Sequence, residues 1–142
     1  MLKDLQATLS QLEWSERETP PVVDFHLFFE GNNEEESIAP NQWGEGRVSI
    51  AEMYERFKAI AARPEVERVL VGLHHEWLDP DYADGFPPAN NVHIYTSAER
   101  EVVESWLDGL HADGVIPGWP GDKPRNAPEA GACMRVHTVC WD

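Results

Sequence analysis

The feature that most constrains the fold is the order in which two hydrophobic periodicities follow one another. After a leading helix, the two-residue period of strands and the longer period of helices alternate as strand, helix, strand, strand, helix, strand. With right-handed crossovers, this order predicts an α+β fold of the ferredoxin-like split βαβ type. The sheet would be antiparallel, with four strands in spatial order 4-1-3-2. Both main helices would cover one face and leave the other open.

One domain is predicted over residues 1–142, because 42% of them are hydrophobic and can form a single core without disulfides or metal. An N-terminal helix over 1–18 precedes a βαββαβ core over 21–142. The patterns that define the elements are four strand segments (22–30, 66–77, 91–96 and 133–141) and two capping boxes that start helices (Ser49 to Glu52 and Thr96 to Glu99). The Pro- and Gly-rich stretch from Gly114 to Ala132 predicts irregular structure.

The first eighteen residues are neither a signal peptide nor a membrane span, because they carry acids early and never run apolar for long. A soluble, cytoplasmic protein is therefore expected. The chain has 26 acidic against 11 basic residues, a formal charge of −15. Such a field repels nucleic acid and anionic membranes and attracts basic partners. The alternative is that the charge only keeps a bacterial-type protein soluble.

Neither cofactor nor metal is expected. Cys133 and Cys140 lie seven residues apart on one predicted strand, so they point to opposite faces and are predicted to be buried free thiols. Their spacing does not match a zinc site. The segment from Asp79 to Gly85 has the acid density of a calcium loop, but Pro80 interrupts it and Asn90 stands where a bidentate Glu is required.

Three long loops, 31–48, 78–90 and 113–132, are predicted to emerge at one end of the sheet. They carry ten acids against three bases, together with aromatic residues. Aromatic anchors surrounded by charge are typical of protein interfaces, although each could instead pin its own loop to the core. The predicted partner-binding residues are Glu34, Glu35, Glu36, Trp43, Glu45, Trp77, Asp79, Asp81, Tyr82, Asp84 and Trp119.

This small, acidic, Trp-rich profile is similar in composition to inhibitor and immunity proteins, which neutralise toxins by covering a basic active site. We therefore predict a protein-binding module with a basic partner, possibly a toxin. None of the common catalytic motifs occurs, which favours a binding protein over an enzyme.

The alternative function is a small enzyme or a ligand- or metal-binding protein. The strand patterns would place one histidine from each strand on the open sheet face, near an acid and a tyrosine. The residues of this alternative site are His26, His74, His93, His137, Glu76 and Tyr95. A third alternative is a homodimer that buries the open face through Leu70, Val139 and Trp141.

Overall fold

The computed structural model of the chain describes residues 2–40 and 47–141, and they form one mixed α+β fold. Its helices are α1 (Leu2–Ser10), α2 (Phe25–Phe29), α3 (Ile50–Ala61) and α4 (Arg100–Trp106). Its strands are β1 (Val22–Asp24), β2 (Val66–Leu73), β3 (Ala89–Thr96), β4 (Gly114–Pro117) and β5 (Arg135–Cys140). Short 3₁₀ turns occur at Glu35–Ser37 and Pro80–Tyr82. Within the described ranges, no helix has the length and apolar character needed to cross a membrane.

The strands form one antiparallel sheet in the order β1-β2-β3-β5-β4. Its register aligns one valine from every strand in a single row across the sheet: Val23, Val71, Val92, Val139 and Val115. Directly opposed β-branched residues point to the same face and stabilise neighbouring strands. This row therefore marks the face against which the helices pack.

The observed sheet differs from the predicted ferredoxin-like sheet, because it has five strands and its first strand lies at an edge. β1 ends at Asp24, and the residues predicted to continue it form α2 instead. Phe25, Phe28 and Phe29 are all buried, and their spacing also fits one face of a helix. The helical period is realised because it turns all three rings towards the core.

β4 is an additional strand within a stretch that was predicted to be irregular. Gly114 to Pro117 pairs with β5 at the outer edge of the sheet. A proline cannot donate a ladder hydrogen bond, but an edge strand tolerates one. Pro117, the last residue of β4, therefore does not prevent the pairing.

The main core lies between the helices and the face that carries the valine row. The prediction for the start of α3 is confirmed, because the Ser49 hydroxyl accepts a hydrogen bond from Glu52 N at 3.2 Å. α1 is shorter than predicted, but it contributes the fully buried Leu5 to this core. The second predicted capping box is not formed, because α4 begins only at Arg100, with Glu99 as its N-cap and no side-chain hydrogen bond at the cap. The helices therefore form one layer on one side of the sheet.

The second face of the sheet is covered, contrary to the prediction of an open face. The cover segment, residues 118–134, runs from β4 to β5 across this face. A small second core of Val22, Leu70, Tyr95 and Ala127 lies beneath it. The premise of a homodimer through an open face is therefore lost: Leu70 belongs to this second core, whereas Val139 and Trp141 belong to the main core.

Both cysteines are free, but neither is fully buried as predicted. Cys133 is exposed and precedes β5, whereas Cys140 is half-buried at the end of that strand. Cys133 is more exposed than Cys140 because the pairing of β5 begins only at Arg135, so Cys133 lies outside the strand.

Candidate functional site

Two of the three long loops meet at the end of the sheet where strand β2 ends and strand β3 begins. Ile38 pairs with Ala89, and Ala39 N donates to Ala89 O at 2.8 Å. The Glu34 carboxylate accepts a hydrogen bond from Phe86 N at 3.0 Å. Segments 31–40 and 74–88 therefore form one surface, which we call the acidic edge. These segments contain seven acidic residues and no Lys or Arg.

Several acids of the acidic edge bond to the backbone of their own loops. Glu35 Oε1 accepts from Ile50 N at 2.8 Å and so caps α3, while Asp79 Oδ1 accepts from Asp81 N at 2.9 Å. Glu34, as described above, joins the two loops. By contrast, Glu36, Asp81 and Asp84 are exposed. The acidic edge thus combines carboxylates that shape the loops with carboxylates that face solvent.

Arg47, a base within the predicted loop 31–48, bonds to the backbone of the same loop. Its guanidinium donates to Ala39 O at 3.0 Å, to Glu35 O at 2.6 Å and to Ile38 O. Desolvation by burial lowers the pKa of Arg47, opposed by the charges of Glu35 and Glu36. Its charge therefore lies against loop carbonyls.

The aromatic residues of the acidic edge are only partly accessible. Trp77 is half-buried and packs against the main core, and Tyr82 is half-buried. Leu78, which sequence reasoning did not select, is 39% exposed. No periodic signal could have selected Leu78, because it follows the end of β2 in an irregular loop. Trp43 and Glu45 lie outside the described residues.

The third loop does not complete the acidic edge. It begins at the same end of the sheet, because Gly114 pairs with Cys140, which on its other side pairs with Asn91 near the start of β3. Beyond β4, this loop forms the cover segment. Trp119 packs on the His93 ring, with ring centroids 4.4 Å apart. Its indole therefore contributes to the cover of the sheet.

The four histidines of the alternative site occupy separate environments, contrary to the prediction that they share one face. His137 lies opposite Ile94 on the helix side, where Nε2 bonds to Ala98 O at 3.0 Å. His93 lies opposite Thr138 on the covered face. The two-residue alternation within β5 was right, but sequence could not tell which of its faces meets the helices.

The remaining two histidines lie outside the strands. His26 belongs to α2 and is exposed, and its Nδ1 lies 2.8 Å from the Tyr54 hydroxyl. His74 follows β2, and its Nδ1 accepts from Glu76 N at 3.1 Å. Desolvation by burial lowers the pKa of His74, and the neighbouring His75 lowers it further, against the opposing effect of Glu76.

The two other members of the alternative site are also separated. The Glu76 side chain is largely exposed, and its carboxylate lies 3.8 Å from the ring of His75. Tyr95 is buried and donates from its hydroxyl to Pro128 O at 2.6 Å, and burial raises its pKa to about 12. Across residues 2–40 and 47–141, no three His, Cys, Asp or Glu side chains come together as a metal site.

His93 lies in a buried polar environment on the covered face. It is only 2% exposed, and burial lowers its pKa to about 3, so the ring stays neutral at physiological pH. Its Nδ1 lies 2.7 Å from Thr138 Oγ1, and Thr138 in turn donates to Gly118 O at 2.6 Å. Alternation along β3 placed His93 on this face, but the buried chain of hydrogen bonds depends on the cover segment.

The fold and these surfaces define a small α+β protein with an acidic edge and a covered sheet face. The chain matches the model of the Uncharacterized protein YfbO family over residues 2–139, and it belongs to that family. Searches of the curated proteins and of the solved structures found no match.

Proposed function

We propose that the protein is an inhibitor or immunity-type module that binds a basic protein partner, possibly a toxin, through its acidic edge. The observation that carries the proposal is the joining of segments 31–40 and 74–88, whose seven acids have no Lys or Arg among them. A surface of one sign raises the rate at which an oppositely charged protein arrives in the correct orientation.

Leu78 supplies the apolar contact that such an interface needs. It is one of two large hydrophobic residues exposed in the described ranges, and it lies between Trp77 and Asp79 in the acidic edge. Interface energy concentrates in a few desolvated apolar side chains, while the surrounding charges set orientation and association rate. We assign this central role to Leu78, with Trp77 and Tyr82 beside it. A contribution of Trp43 and Glu45 to the interface stays a prediction.

Several alternatives are less well supported. The proposed catalytic or metal constellation of four histidines has no common location in the described structure. Trp119 packs within the protein and is removed from the proposed interface. A cytoplasmic location forms part of the proposal, supported by the free thiols of Cys133 and Cys140.

The test compares two charge-matched triple variants. The edge variant carries Glu36→Gln, Asp81→Asn and Asp84→Asn, all at exposed positions. The control variant carries Glu16→Gln, Glu101→Gln and Asp108→Asn, which are exposed elsewhere. Wild type and both variants are used to capture proteins from the source cell, and each captured basic protein is then purified for kinetic measurement.

The edge variant should associate with the partner about tenfold more slowly than wild type at about 50 mM salt, and the difference should shrink at about 300 mM. The association rate of the control variant should decrease much less. Leu78→Ala should mainly speed dissociation while leaving stability within about 0.5 kcal/mol. The proposal fails if no captured basic protein distinguishes the two triple variants.

A further inference from the structure

A pocket of about 200 Å³ lies on the covered face, between the sheet and the cover segment. It adjoins the acidic edge, since residues at the end of β2 and the start of β3 line it. Its lining includes Gly72, His75, Asn91, His93, Trp119 and Asp122. A pocket of this size accommodates one small polar group rather than a large ligand.

The hydrogen bonds behind His93 fix the position of its proton. The Thr138 hydroxyl has a single proton, and its 2.6 Å contact with Gly118 O requires that proton. Thr138 Oγ1 must therefore accept from His93 Nδ1, 2.7 Å away. The neutral ring then carries its proton on Nδ1, and Nε2 presents a lone pair.

Nε2 of His93 opens into the pocket. Nε2 faces Gly72, which also lines the pocket: a Cβ atom at that position would lie only 2.6 Å from Nε2, so a side chain there would displace the ring. No described residue donates a hydrogen bond to Nε2, yet Nε2 is not among the fully enclosed atoms without a partner. The buried His93 ring therefore presents a nitrogen acceptor that receives no hydrogen bond from the described residues.

The pocket wall selects for positive charge on the group that supplies this donor. Among the described residues, no Lys or Arg lines the pocket, whereas Asp122 does. The indole of Trp119 is half-buried beside the His93 ring and offers an aromatic surface. Aromatic faces and carboxylates both attract cations, and the formal charge of −15 opposes anions.

We propose that this pocket binds a small organic cation that carries N–H donors, namely a guanidinium or primary ammonium group. One N–H donates to His93 Nε2, and the positive charge lies against Trp119 and Asp122. The group belongs to a free small molecule or to an arginine or lysine side chain of a peptide. The inference does not rest on the proposed function, because it requires no protein partner.

The test follows the histidine nitrogens by long-range ¹H–¹⁵N NMR at neutral pH while methylguanidinium chloride is added to the full chain. The His93 Nε2 resonance should shift and saturate. Tetramethylammonium chloride has the same charge but no N–H donor, and sodium acetate is an anion; neither should shift Nε2. N-acetyl-arginine methylamide separates the two sources, since tighter binding than methylguanidinium identifies a peptide side chain and equal or weaker binding a free cation.

Two matched variants locate the site. Asp122→Asn, at an exposed pocket position, should weaken methylguanidinium binding about threefold to tenfold, because it removes the charge beside the cation. Asp108→Asn, at an exposed position outside this pocket, should leave binding unchanged. The proposal is overturned if Nε2 does not respond, if tetramethylammonium shifts it equally, or if both variants weaken binding to the same degree.

Discussion

The two faces of the sheet are held by different kinds of interaction. On the helix face, the valine row and residues such as Phe57 and Ile60 exclude water through close apolar packing. On the other face, the cover segment carries prolines and glycines and is held by the small second core together with individual hydrogen bonds, such as those of Tyr95 and Asn126. Apolar packing leaves no preferred opening, whereas a cover held at a few points leaves room for the pocket at His93.

The largest effect is expected in the main core. Phe57 is fully buried and stacks with Phe29 and against the edge of Trp141. Phe57→Ala should lower the free energy of unfolding by about 3–5 kcal/mol, because it leaves a cavity where rings meet. Urea denaturation measures this loss. Val102→Ala, at a 45% exposed position, serves as control, and similar losses in both variants would contradict the close apolar packing of the main core.

An intermediate effect is expected from acid acting on the covered face. The pKa of His93 is about 3 in the folded chain, against 6.5 for the ordinary group. Between these values the unfolded chain binds a proton that the folded chain does not, so the free energy of unfolding falls as pH drops from about 6.5 to about 3. At pH 4.5 the loss should be about 3 kcal/mol relative to neutral pH.

The contribution of His93 can be separated from that of other groups by urea denaturation at both pH values. His93→Gln should abolish most of this acid-dependent loss, whereas His111→Gln, at an exposed position, should retain it. An unchanged pH dependence in the His93→Gln variant would show that this ring does not remain neutral when buried.

The smallest effect is expected where the cover segment meets β1. The Asn126 side chain accepts from Val22 N at 3.0 Å and donates to Val22 O at 2.8 Å, so it occupies the bonding positions of a missing neighbouring strand. Asn126→Ala should cost about 1–3 kcal/mol, because it leaves both backbone groups without this partner. The Val22 amide should exchange faster with solvent deuterium. Asn33→Ala, at an exposed position, is the control, and equal exchange in both variants would argue against this role.

Local signals allowed much of the helix and strand content to be predicted from sequence. The Ser49 capping box marked the start of α3, and alternation from Val66 and from Asn91 located β2 and β3. The strand prediction for Phe25 to Phe29 was wrong because the spacing of its aromatic rings fits both the strand period and the helix period. Only packing against α3 and the core distinguishes the two. β4 was missed because proline and glycine content hid a short edge strand.

Long-range arrangement was less accessible to sequence reasoning. The alternation of residues along β3 and along β5 was predicted correctly, but the strand order and the placement of β5 depend on contacts far apart in the chain. The loops 31–48, 78–90 and 113–132 were expected at one end of the sheet; the described parts of the first two meet there, whereas most of the third lies along the sheet and over its second face. The cover segment could not be foreseen, since its bonds to Val22 and Tyr95 join residues more than thirty positions apart.

The measurement that most directly tests the covered face is a long-range ¹H–¹⁵N NMR titration of His93 without ligand. The structure predicts that the ring carries its proton on Nδ1 and stays neutral as the pH falls from neutral to about 4.5, because its pKa is about 3. A proton on Nε2 at neutral pH, or protonation of the ring near its ordinary value, would contradict the hydrogen bonds from His93 through Thr138 to Gly118.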